Sequence, residues 1–189
     1  RDAEADRDAV VMLVDASPSM FARDGTRAGG GAAFSAAARA CFEFVRARVV
    51  VAPDDVVGVC AYNARKSVGG LGHPRVCEVL EAEAPSAASA LALREYADGE
   101  EGARKFRERF GVLSREEDGE DVDFNQEEAL TAGLWAASHM LENGPRGAGR
   151  KSVYLFTNEP APLKPGSAGT KLIARAKEMA ALGQRIEVL

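Results

Sequence analysis

The sequence predicts an α/β protein built on a doubly wound, mostly parallel sheet with one antiparallel edge strand. Short apolar runs rich in Val, Leu and Tyr alternate with helical patterns, the order expected of parallel strands joined by helical crossovers. Two runs, Val10 to Val14 and Val153 to Phe156, contain no polar residue, as central strands covered on both faces require. The first run ends in Asp15, Ser17 and Ser19 at strict alternation. That is the carboxyl end of a strand, where open parallel sheets hold their ligands.

The elements follow in order. Residues 1–8 form a charged leader, and one domain is expected over 9–189. The first strand covers 10–15. The Gly-rich loop "RDGTRAGGG" connects it to a helix over 33–50, whose Phe34, Ala38, Cys41, Val45 and Val49 keep a helical period and whose end is marked by Pro53. "VVGVCAY" predicts a strand over 56–62 and "RVCEVL" the antiparallel edge strand over 75–80. "LREYADGEEGARKFRERF" is charged and predicts a helix in its second half, and "SREEDGEDVD", within 114–123, reads as an acidic solvated loop. A helix starts near Asn125, with Glu128 placed for a capping box, buries Leu130, Leu134, Ala137 and Leu141, and stops at "NGPRG". Next come a strand over 152–157, a helix with Leu172, Ala176, Met179 and Leu182 inward that stops at Gly183, and a strand over 185–189.

Composition narrows the function. The chain has 189 residues, 46% of them hydrophobic, enough for one domain with a sizeable core. Lys and Arg number 24 against 29 Asp and Glu, a formal charge of −5, the reverse of a nucleic-acid footprint. Cys41, Cys60 and Cys77 are odd in number and widely spaced among apolar neighbours, and predict reduced core thiols of an intracellular protein. No apolar run approaches membrane-spanning length. The chain starts without methionine and stops inside an apolar run, which predicts a fragment of a longer protein.

One carboxylate and two hydroxyls are hard oxygen donors suited to Mg2+ or Ca2+. The plainer alternative is that Asp15, Ser17 and Pro18 turn the chain and cap its exposed amides. The D-x-S-x-S pattern resembles the metal-ion-dependent adhesion site of von Willebrand factor A domains. In that family a threonine before a later helix and an aspartate at the fourth strand's end complete the site. The corresponding stretches here are "VDFNQEEAL", with Phe124, Asn125 or Glu128 near the threonine's place, and "YLFTNEPAP", with Asn158 where the aspartate stands. Asn keeps an oxygen but not the charge that holds a hard dication. The expectation is therefore no resident metal and no cofactor, at most weak Mg2+.

Three stretches, "MLVDASPSM", "LALREYADGEEGARKF" and "LFTNE", together resemble the amino-terminal von Willebrand A-like domain of the smaller subunit of the Ku heterodimer, from about Arg7 to Leu189. Ser19 and the long acidic insert depart from that pattern. The resemblance implies a von Willebrand A-like sheet whose last strands are missing from this chain, and a scaffold and protein-interaction module rather than an enzyme. It implies pairing with the larger Ku subunit, end-joining repair proteins as further partners, and a nuclear location. It also implies a role in double-strand break repair by non-homologous end joining and in telomere maintenance, with double-stranded DNA ends held mainly by the rest of the full-length protein and no membrane involved. Full Ku proteins are credited with helicase and lyase activities. Yet residues 1–8 hold no lysine for a Schiff base, and no nucleotide loop is visible. The alternative is a Mg2+-dependent ligand-binding A domain using Asp15, Ser17 and Ser19; a nucleotide-binding α/β enzyme has only fold analogy behind it.

Other features read as structure. "KPGSAGTKL" lacks the G-x-x-x-x-G-K-[ST] order, and Gly29 to Gly31 make no dinucleotide fingerprint. His73 and His139 have no nucleophile near them in sequence. Trp135 falls beside a buried stripe and is expected in the core. Arg104, Lys105, Arg107 and Arg109, interleaved with Glu100, Glu101 and Glu108, predict a solvated helix face.

Overall fold

The computed structural model describes residues 7–22, 32–69, 71–112, 126–144, 149–159 and 169–189. The strands are β1 (Asp8–Asp15), β2 (Val56–Tyr62), β3 (Val76–Glu83), β4 (Arg150–Phe156) and β5 (Gln184–Val188). The helices are α1 (Pro18–Phe21), α2 (Ala33–Val51), α3 (Ala87–Ala97), α4 (Gly99–Phe110), α5 (Gln126–Asn143) and α6 (Thr170–Ala181). The strands form one sheet in the order β3-β2-β1-β4-β5. β1 lies at its centre, parallel to β2 and β4; β4 and β5 are parallel, and β3 is the antiparallel edge expected from sequence. The order reverses at β1, so the crevice at its carboxyl end is a topological switch point.

Both faces of β1 are covered. Val10, Met12 and Val14 point to α2, α3 and α4, where Phe34, Cys41, Tyr96, Phe106 and Phe110 are buried. Ala9, Val11 and Leu13 point to the opposite core with Leu130, Leu134, Ala137 and Met140 of α5 and Met179 of α6. An aliphatic side chain buried this way contributes about 1.5–3 kcal/mol by leaving water. β4 departs from the fully covered strand its sequence suggests: Tyr154 and Phe156 are only half buried. Tyr154 meets Phe44 of α2 edge-on at 5.9 Å, so the cover on that side comes from one helix flank.

Several expectations need correction. α3 precedes the predicted charged helix and is a separate element; Ser86 caps it through a reciprocal box with Ser89, a signal weaker to the eye than the Ser-x-x-Glu form. Val49 is only half buried. In α6 the buried stripe is Leu172, Arg175 and Met179, while Leu182 is 51% exposed, because the helix ends there and Gly183 turns the chain at φ 72°. Trp135 is 45% exposed and does not sit in the core. It lies one residue off the buried stripe of α5, and the Arg175 guanidinium stacks on it at 3.6 Å from the ring centroid. His73 lies on the same face at 6.4 Å from Trp135, and His139 is exposed and bonded to Asn143.

The cysteines are buried and free. Among the described residues no helix is long and apolar enough to cross a membrane. Leader residues 1–6, loop 23–31, insert 114–123, Phe124, Asn125 and most of "KPGSAGTKL" lie outside the described residues.

Candidate functional site

The site is built where β1, β2 and β4 end together. β1 delivers Asp15, which is fully buried. Next to it, β2 ends at Tyr62, followed by Asn63, which is also fully buried and adopts φ 65°, a left-handed conformation that Asn tolerates better than most residues. β4 is followed by Thr157 and Asn158, and α5 begins at Gln126.

Asp15 is the hub. Its Oδ1 accepts from the Ser17 amide at 2.8 Å and from Asn63 Nδ2 at 2.9 Å. Its Oδ2 accepts from the Thr157 hydroxyl at 2.9 Å and from Gln126 Nε2 at 3.2 Å. Asn63 Nδ2 also donates to Gln126 Oε1 at 3.1 Å, closing a ring between β1, β2 and α5. The Tyr62 hydroxyl reaches both Thr157 and Asp15, and burial followed by the Asp15 charge pushes it well above the ordinary phenol range. It is a neutral hydroxyl at any physiological pH.

The two serines behave differently from the aspartate. The Ser17 and Ser19 hydroxyls bond each other at 2.9 Å. Ser19 then donates to Asn158 Oδ1 at 3.0 Å, and Asn158 Nδ2 donates to the Ser19 carbonyl at 3.0 Å. Asn158 thus clasps α1 from the β4 end and makes no hydrogen bond to Asp15. Of the predicted set, Asp15 engages the neighbouring strand ends, whereas Ser17 turns its hydroxyl to Ser19.

Sequence reasoning missed Tyr62, Asn63, Gln126 and Thr157. Its three candidates for the threonine's place were Phe124, Asn125 and Glu128; the residue that reaches Asp15 from α5 is Gln126, and Glu128 is exposed. A signal was available, since each missed residue flanks the carboxyl end of an apolar run or opens a helix.

These residues do not fit a hard divalent ion as arranged. One carboxylate stands among neutral groups, and both of its oxygens already accept from two donors. Among the described residues no three His, Cys, Asp or Glu side chains come together in a metal-holding group. Asn63 Oδ1 is buried with no hydrogen-bond partner among them.

An open α/β sheet with an Asp-x-Ser-x-Ser cradle at the end of its central strand defines a von Willebrand A-like domain. Residues 9–185 match the family model described as the Ku70/Ku80 N-terminal alpha/beta domain, and the chain belongs to that family. Similar curated proteins include the KU70 subunit of ATP-dependent DNA helicase 2 from Arabidopsis thaliana, 26% identical over 100% of this chain and 31% of the relative. Subunit 1 of ATP-dependent DNA helicase II from Chaetomium globosum is likewise 26% identical, over 99% of this chain and 30% of the relative. This chain therefore spans about a third of the length of these relatives. Among solved structures, BatB from Bacteroides thetaiotaomicron superposes with a TM-score of 0.53 at 16% identity, covering 95% of this chain and 64% of that one. That likeness concerns the fold alone.

Proposed function

We propose that this chain is the von Willebrand A-like part of a smaller Ku subunit and works as a non-enzymatic scaffold and protein-interaction module. In this reading it pairs with the larger Ku subunit in the nucleus and serves double-strand break repair by non-homologous end joining, with telomere maintenance as a second role. Double-stranded DNA ends are held through the rest of the full-length protein. The observation that carries the reading is the family match over residues 9–185, supported by relatives that are KU70-type subunits. Two features agree with it. The −5 charge disfavours this segment as the main duplex contact. The hydrogen-bonded Asp15 works as a structural tie between strand ends, with no ion required. The relatives are named as helicase subunits, but the chain carries no phosphate-loop order that would assign such an activity to this segment.

The test uses the full-length subunit that contains this segment, co-expressed with the larger subunit. Deleting the segment is expected to leave loading on linear DNA ends intact and to abolish joining of those ends. Unimpaired joining, or loss of DNA-end binding, would count against the reading. A second reading, a Mg2+-dependent ligand-binding domain, draws on the convergence of the Ser17 and Ser19 hydroxyls beside Asp15. Calorimetric titration with Mg2+, Ca2+ and Mn2+ separates the two, since tight binding lost in Asp15→Ala would favour the second.

A further inference from the structure

Between α1, the loop after β2 and the end of α4, the structure opens a cleft of about 750 Å³ that Asp15 does not line. This falls within the ordinary range for ligand sites, about 300–1,000 Å³. Among the described residues, Pro18, Phe21, Ala22 and Val112 give it an apolar lining, and Arg65, Lys66, Arg104 and Arg107 line it with positive charge against one carboxylate, Glu108. On a chain of net −5 this is a local reversal of sign.

The cleft is held open by the backbone. The Arg65 and Lys66 amides donate to the carbonyls of Gly111 and Phe110, at 3.3 and 2.9 Å, tying the loop after β2 to the end of α4. Gly111 has φ 71°, and a Cβ there would stand 2.7 Å from Arg65 Cβ, so this approach requires glycine. Below, Phe21 stacks on Phe34 at 4.4 Å, anchoring α1 to the α2–α4 core.

The cations are not equivalent. Arg104 is shared between Glu101 and Glu108, so this trio carries a net charge of −1 and adds no positive field to the cleft. The Lys66 ammonium donates to the Glu108 and Arg109 carbonyls at 3.3 and 3.2 Å, which fixes its position and leaves one of its three N–H donors over. Arg107 lies over the Phe21 ring at 5.6 Å, placing an exposed guanidinium beside an aromatic surface. Lys66 and Arg107 thus present positioned charge at the rim of an apolar floor.

We propose that this cleft docks an acidic peptide segment of a partner protein, its carboxylates on Lys66 and Arg107 and an apolar side chain against Phe21 and Val112. Charge complementarity selects the sign of the occupant. The apolar floor selects a peptide over a nucleic-acid backbone, which needs an extended basic track rather than a short cleft on a chain of net −5. The inference does not depend on the Ku reading, and its test leaves that reading untouched.

Fluorescence anisotropy of the 189-residue chain with a fluorescein-labelled peptide alternating Asp or Glu with Leu checks the proposal. Saturable, salt-sensitive binding is expected, weakened about tenfold by Arg107→Glu and by Lys66→Glu. Arg94→Glu, an exposed charge on α3, is expected to leave it unchanged. Thermal melts establish that each variant is folded; for any that is not, Arg107→Gln takes its place, with a smaller loss in the same direction. Absence of saturable binding, equal binding by the charge-reversed variants, or equal binding of the peptide with its carboxylates replaced by amides would overturn the proposal. So would tighter binding of a labelled DNA duplex through the same two residues.

Discussion

Replacing Asp15 by alanine removes at once the acceptor for four donors, besides the Tyr62 hydroxyl, which keeps Thr157 within reach. Two of them, the Ser17 amide and Asn63 Nδ2, belong to residues 4% and 0% exposed and cannot turn to water. The other two, on Gln126 and Thr157, are half buried and can be rehydrated at little cost. An orphaned buried donor costs about 1–3 kcal/mol, so two at the middle of that range give about 4 kcal/mol. Relief of the buried charge's desolvation offsets part of this and leaves about 2–3 kcal/mol net. For a domain of this size each kcal/mol lowers the melting temperature by about 2–4 °C, so the expected drop is about 4–12 °C. Circular dichroism melts in EDTA and in Mg2+ measure it directly. Asp15→Asn, which keeps shape and one acceptor oxygen, is expected to lose about half as much. A loss below about 1 kcal/mol would refute the reasoning, because an anchored node cannot be that cheap to remove. A Mg2+-dependent rise in the melting temperature of the unaltered chain, absent in Asp15→Ala, would refute it from the other side.

Three further outcomes are expected. Burial pushes the Cys41 and Cys77 thiols up to about 12 and Cys60 well above its ordinary value, so all three should resist alkylation in the native state and react only on unfolding. The folded state holds these thiols protonated where the unfolded chain would ionise them; stability should be unaffected below about pH 8.5 and fall as pH rises above it, which urea titrations can follow. Trp135 is the only tryptophan, so Arg175→Met should shift the intrinsic fluorescence at a cost of about 0.5–2 kcal/mol from the lost cation–π contact. Gly102→Ala should destabilise by about 1–3 kcal/mol in chemical denaturation, since the added Cβ would stand 2.3 Å from the Tyr96 carbonyl oxygen.

What could be read from the chain follows a physical line. Strand identity in β1 and β2 rests on unbroken apolar runs, and both came out at or near their observed bounds because burial on two faces leaves no room for polar residues. α3 was missed because its cap is Ser86 with Ser89 and its body is rich in alanine, so no charged pattern announces it. Trp135 was misplaced because a stripe read at helical period has an angular error of about one residue, and Leu182 because its helix ends at Ala181, before the stripe reaches it. That error is enough to move a side chain from the core to the surface.

By itself, the sequence determined the sheet class, the central position of Val10 to Val14 and the placing of Asp15, Ser17 and Ser19 at a strand end. These depend on local periodicity and on the chemistry of neighbouring residues. Only the tertiary structure decided what Asp15 does. Its partners Asn63, Gln126 and Thr157 are 48, 111 and 142 residues away, brought together by parallel crossovers. Hydrogen bonding at a buried carboxylate depends on which donors arrive at 3 Å, and pattern along a chain carries no information about that distance.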